Sequence, residues 1–163
     1  MESLLEVKNL SVSFFTPLGE IKAVNNISYK LDKSKVLGIV GESGSGKSVS
    51  AYSIMGLIEE PGKIINGEIL FEGTDLIKLS EHEKKKIRGD SISMIFQDPM
   101  ASLNERAKID YIVSEGLQGR GLSKAEISEK VNKALRAVGL PPEFATRFPH
   151  EFSGGQRQRI GIA

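Results

Sequence analysis

Apolar and polar residues alternate from Leu4 to Lys8, and Ser11 to Phe15 is rich in β-forming side chains, which predicts a pair of short strands. Thr16-Pro17-Leu18-Gly19 has turn chemistry, and Ala23 to Leu31 reads as a third strand with Val24, Ile27 and Tyr29 as its apolar positions. The pattern changes at Val36-Leu37-Gly38-Ile39-Val40, a continuous apolar run that suits a strand covered on both faces, as in a parallel sheet. It leads straight into a glycine cluster, Gly41 to Ser48, and then a helical stretch to about Ile58 that Pro61-Gly62 ends. Gly67 to Gly73 reads as another strand. Ser80 with Glu83 three residues later forms a capping-box pattern that predicts a short helix through Arg88. Ser91 to Phe96 reads as a second buried-type strand, ending at Gln97-Asp98-Pro99. Beyond it the spacing is helical. Ser123 and Glu126 repeat the capping box, Ile127, Val131, Leu135 and Val138 keep a helical period, and Gly139 suits the C′ position before Pro141-Pro142. Arg157 to Ala163 reads as the middle of one more helix.

Composition narrows the class. The 163 residues suit one domain with a real core. With 22 basic and 21 acidic side chains the formal net charge is +1, which argues against a surface built to coat a polyanion. The basic run Lys84-Lys85-Lys86 with Arg88 reads as a solvated helix face. The absence of cysteine rules out disulfides, thiolate metal sites and a cysteine nucleophile. No apolar run approaches the roughly 18 residues that would suggest a bilayer-spanning helix, and the first ten residues lack the pattern of a signal peptide. A soluble, cytosolic chain is expected.

The chemistry concentrates in Gly41-Glu42-Ser43-Gly44-Ser45-Gly46-Lys47-Ser48, which fits the phosphate-binding pattern G-x-x-x-x-G-K-[ST]. Glycines let the backbone turn its amides inward onto phosphate oxygens, and the helix beginning near Lys47 adds the positive end of its dipole. The Lys47 ammonium suits β- and γ-phosphates and the Ser48 hydroxyl suits Mg²⁺, and the expected nucleotide-binding stretch runs from Gly41 through Val49. The strand expected before the loop and the helix after it are the context this motif requires. Such a loop by itself leaves kinases, GTPases, helicases and transport motors open.

A second motif discriminates. Phe152-Ser153-Gly154-Gly155-Gln156-Arg157-Gln158-Arg159 resembles the LSGGQ signature of ATP-binding-cassette (ABC) ATPases, with Phe152 in place of the usual leucine. Its logic is again a helix amino terminus with a serine hydroxyl and glycine amides able to grip an anion. The stretches FFTPLGEIKAVNNISY, GESGSGKS, MIFQDPMASLNERAKI and RFPHEFSGGQRQRIGIA look like the dipeptide/oligopeptide/nickel importer group of that family. Ile95-Phe96-Gln97-Asp98-Pro99 followed by Ala101-Ser102-Leu103-Asn104 is the most telling segment. Glu105-Arg106 departs from the group, which commonly has proline after the asparagine.

The resemblance implies an α/β fold: a P-loop NTPase core with an antiparallel β subdomain and a helical subdomain, truncated before the Walker B strand. Residues 1–97 would form the β subdomain and P-loop core, and 98–163 the helical subdomain and signature helix. It implies that Gln97 contacts Mg²⁺ and the attacking water, and that Phe14 stacks on adenine, with Phe15 beside it as the alternative. Ser153, Gly154, Gly155 and Gln156 would grip the γ-phosphate of ATP held by a second, identical or related ATPase subunit. Further partners implied are transmembrane permease subunits docking around Asp98 to Gly116 and, indirectly, a solute-binding protein, with no nucleic acid. The location implied is peripheral, on the cytoplasmic face of the membrane. His150 is expected to be structural.

The family's strand ending in Asp-Glu and its switch histidine have no counterpart in the 163 residues. The chain is therefore expected to be an amino-terminal fragment that binds ATP weakly and hydrolyses little, whereas the whole protein would be an ATPase driving uptake of peptides or similar solutes. The rivals are a soluble ABC-type ATPase acting on nucleic acid or ribosomes, and an inactive nucleotide-binding fragment.

Overall fold

The computed structural model describes residues 3–100 and 103–163. They fall into two compact units, one through Ser93 and one from Met94.

The first unit is built on an antiparallel sheet in which β1 (Ser3–Thr16) and β2 (Gly19–Asp32) form a long hairpin, with β3 (Gly62–Phe71) and the short β4 (Thr74–Asp75) added in the order β2-β1-β3-β4. The two short strands expected at the start are one strand. Strict alternation would put Val7 and Leu10 on opposite faces, yet both are buried, together with Val12. An extra residue at Asn9, at φ 48, shifts the register against both neighbours and returns the apolar set to one face. The Asn9 N–H left over by this bulge donates to the Ser28 hydroxyl at 2.8 Å. Val7, Leu10, Val12, Val24, Ile69 and Leu76 form the core of the unit.

Helix α1 (Lys47–Met55) follows the glycine cluster and is capped by Gly56, ending three residues before the expected end near Ile58. Helix α2 (Glu81–Asp90) begins with the expected capping box, the Glu83 carboxylate accepting from the Ser80 N–H at 2.9 Å. Arg88 reaches from α2 to donate to the Met55 carbonyl at 2.9 Å, satisfying an end of α1 that its own backbone leaves open.

Two expected strands are absent. Val36–Val40 and Ser91–Phe96 have no regular structure, and most of their apolar side chains face solvent: Val36 is 99% exposed and Ile95 61%, while Ile92 is partly buried against the first core. Neither run has a strand beside it among the described residues, and an extended segment without ladder partners does not become a strand, however apolar it is. The sheet is correspondingly antiparallel, with no parallel pair among the described strands.

The second unit is helical: α3 (Ile109–Ser114), α4 (Lys124–Ala137) and α5 (Gly154–Ile162), joined by short 3₁₀ turns. The Ser123–Glu126 box caps α4, and Gly139 follows its end at φ 70, both as the sequence predicts. Val131, Leu135 and Leu140 pack with Leu103, Ile109, Phe152 and Ile160 into a core of their own. Among the described residues no helix is long and apolar enough to cross a membrane.

Candidate nucleotide site

Gly41 to Gly46 carry no regular structure, and α1 starts at Lys47 directly after them. Gly46 is the N-cap, at φ 88, and no side chain caps the helix. The first amides of α1 are thus free of side-chain acceptors, and no acidic residue in the first turn competes for them. This is the donor set an anion requires. Lys47 folds back over the loop: its Nζ donates to the carbonyls of Gly41 and Glu42, each at 2.6 Å, and to Ser45 Oγ at 3.2 Å. The ammonium therefore stands over the loop, and Ser48, next in the chain, is exposed.

The loop rests on β2. A Cβ at Gly46 would collide with the Ala23 carbonyl and come within 3.2 Å of Val24 Cγ2, so at this position the close approach and the positive φ both call for glycine. One turn into α1, Ser50 is 2% exposed, and its hydroxyl lies 2.6 Å from the Tyr29 hydroxyl on β2. A cavity of about 730 Å³ opens beside the loop, bounded by β2 from Lys22 to Tyr29, by Leu37 to Val40 and by Gly44 to Lys47. Burial raises the Tyr29 pKa more than the Ser50 hydrogen bond lowers it, so the phenol stays neutral.

Phe14 does not line this cavity. It is half-buried against the first core, where a Cβ at Gly62 would come within 2.7 Å of its ring, whereas Phe15 is 47% exposed. The uncapped start of α1 and the Lys47 ammonium over the loop would fit a nucleotide's anionic end. Among the described residues no cluster of three His, Asp or Glu side chains could hold a metal ion. Mg²⁺ would therefore depend on neutral protein oxygens, such as the Ser48 hydroxyl, together with phosphate oxygens.

In the second unit, Ser153 is the N-cap of α5, its N–H donating to Gln156 Oε1 at 2.9 Å in a capping box. Gly154 and Gly155 are exposed, and nothing would obstruct a Cβ at Gly155 within 4 Å, so this helix end is open to an incoming group. Phe152 behind it is 7% exposed and meets Phe144 edge-on at 5.2 Å. The position asks for a buried apolar anchor, and phenylalanine serves there as leucine would. Gln97 is exposed on an irregular segment, and Pro99, two residues on, packs so closely under α5 that a Cβ at Gly161 would lie 2.8 Å from its ring. Gln97 and the Ser153–Gln156 turn belong to this unit, and the phosphate loop belongs to the other. Ala101 and Ser102 of the segment singled out in the sequence lie outside the described residues. Glu105 pairs with Arg157 Nη1 at 3.4 Å, and His150 stacks on Phe148 with ring centroids 5.8 Å apart.

The Tyr29–Ser50 bond and the reach of Arg88, read from the sequence as part of a solvated helix face, to the Met55 carbonyl escaped the sequence reading. Only the buried phenol left a trace there, since a tyrosine on the inner face of a strand needs a partner for its hydroxyl.

The family model described as ABC transporter matches residues 24–163. The oligopeptide transport ATP-binding protein OppD of Bacillus subtilis is 51% identical over 98% of this chain and 46% of its own length. The dipeptide transport ATP-binding protein DppD of Lactococcus lactis is 46% identical over 99% of this chain and 48% of its own. The chain thus spans about half the length of these curated relatives. Among solved structures, the dimeric ABC transporter cassette MJ0796 superposes with a TM-score of 0.84 at 27% identity, covering 97% of this chain and 67% of the other. Its post-hydrolysis form bound to ADP and Pi gives 0.83 at 28% identity.

Proposed function

The chain belongs to the ABC transporter family, and from that premise we propose that it is the nucleotide-binding part of an ATP-driven motor for uptake of peptides or similar small solutes. The observation that carries the reading is the uncapped amino end of α1 with Lys47 folded over the preceding loop. Amides of Gly41 to Ser48 would hold the phosphates of ATP, Lys47 would neutralise the terminal ones, and Val49 would continue the helix behind them. Ser48 would hold Mg²⁺, which when bound supplies charge neutralisation across the β- and γ-phosphates. Gln97 would contact the same ion and orient the attacking water.

Ser153 to Gln156 would complete the site of a second ATPase subunit, which the dimeric neighbour supports. Permease subunits, and through them a solute-binding protein, would be the remaining partners, with the chain peripheral to the cytoplasmic face of the membrane. Phe14, or Phe15 beside it, would stack on adenine. The peptide-transport names of relatives at 46–51% identity favour the importer over an ATPase acting on nucleic acid or ribosomes.

Calorimetric titration of the chain with MgATP tests the reading. Lys47→Ala removes charge-assisted hydrogen bonds worth about 1.5–3 kcal/mol each, so binding should become undetectable. A variant that keeps the full affinity refutes the site.

A further inference from the structure

Helix α1 buries only two residues completely, and both are serines, Ser50 and Ser53. Val49 and Ile54 pack partly against the first core. Apolar contact is non-directional and tolerates rotation of a helix about its axis, whereas a short hydrogen bond does not. Ser53 spends its hydroxyl within the helix, on the Val49 carbonyl at 2.8 Å. Ser50 spends its own across the fold, on Tyr29 of β2 at 2.6 Å. The Ser50 N–H also donates to the Gly46 carbonyl at 2.9 Å, so one residue is tied to both the strand and the last glycine of the loop. Lys47 lies three residues before Ser50, on the same face of the helix.

We propose that Tyr29 is a positioning residue for the phosphate site: its hydroxyl, bonded to Ser50, sets the rotation of α1 and with it the places of Lys47 and Ser48. Two contacts then hold the loop on β2, the backbone approach of Gly46 to Ala23 and the Tyr29–Ser50 bond one turn away. Without the second, the helix can turn about the first. Cα atoms lie about 2.3 Å from a helix axis, so modest rotation shifts the hydroxyl of Ser48 by the order of an ångström, enough to weaken a fitted polar site. The inference rests on the nucleotide reading of the loop and deepens it.

Wild type, Tyr29→Phe, Ser50→Ala and the double variant are compared at a temperature where circular dichroism shows them folded. Each is titrated calorimetrically with MgATP and with ATP in excess chelator. Each single variant should bind MgATP about three- to tenfold more weakly, the scale of one neutral hydrogen bond. The double variant should lose no more than either single one, because both remove the same bond. The loss should be smaller without magnesium, since Ser48 then has no ion to hold. A purely structural bond would lower the unfolding temperature and leave the affinity of the folded chain unchanged; that result overturns the proposal, as do losses that add in the double variant. Should Ser50→Ala fail to fold, Tyr29→Phe, which keeps the ring volume, decides alone. Failure of the wild type to bind MgATP is a separate outcome: it removes the reading of the loop, and this inference with it.

Discussion

Gly44 and Gly46 stand two residues apart in the same loop with nearly the same backbone, φ 81 and φ 88, and their surroundings differ completely. A Cβ at Gly44 would meet nothing within 4 Å, whereas one at Gly46 would strike the Ala23 carbonyl on β2. Alanine at Gly44 should therefore cost only the left-handed backbone, about 1–2 kcal/mol. Alanine at Gly46 should cost that and an overpacking contribution of about 1–3 kcal/mol, because the obstacle is backbone of a core strand and cannot swing aside. Urea unfolding followed by circular dichroism reads any part of the cost borne by the fold, and MgATP titration reads the part that appears when the loop lifts off β2 instead. Gly46→Ala should exceed Gly44→Ala by about 1–3 kcal/mol in the sum of the two. Equal effects would mean that the loop does not rest on β2, and the account of how the fold holds the phosphate site would fail.

Leu135, fully buried on α4, should cost about 2–5 kcal/mol when replaced by alanine, read as a lower denaturation midpoint of the helical unit; a loss under 1 kcal/mol would contradict the packing described. Asp75 is a test by pH. Burial pushes its carboxyl up, but the Lys78 ammonium at 2.9 Å, by hydrogen bond and charge, and the Ile77 amide at 3.1 Å outweigh this and hold the pKa below the ordinary value. A depressed carboxyl contributes stability that is complete above its unfolded value, near 4, and is lost as pH falls through the folded one. Asp75→Asn should thus be less stable than wild type at neutral pH, and the gap should close on acidification below about pH 4. A gap that is constant with pH would show that the Lys78 pair contributes nothing.

What could be read in advance followed how far apart in the chain the responsible residues stand. The glycine loop running into α1, the capping boxes at Ser80 and Ser123 and the turn of Ser153 with Gln156 are contacts among residues at most a few positions apart, and their geometry follows from residue type and spacing. They were legible. The bulge at Asn9 was written in the odd spacing of Val7 and Leu10, but its meaning depended on β2 and β3 lying on either side. Val36–Val40 and Ser91–Phe96 show the opposite error: an apolar run states that a segment would gain from burial, and says nothing of whether a partner strand is at hand. Phe14 could be placed on a strand but not assigned a neighbour, and the fold set it against Gly62.

The amino-acid sequence by itself thus determined the local element at the proposed site, a glycine loop running into a helix that begins with Lys47, because it is made of adjacent residues. Only the tertiary structure decided how that loop and helix are seated on β2. Tyr29 and Ser50 are 21 positions apart, and Arg88 and Met55 are 33. Nothing in local pattern pairs them; packing α1 on β2 and α2 against the end of α1 brings them within hydrogen-bond reach.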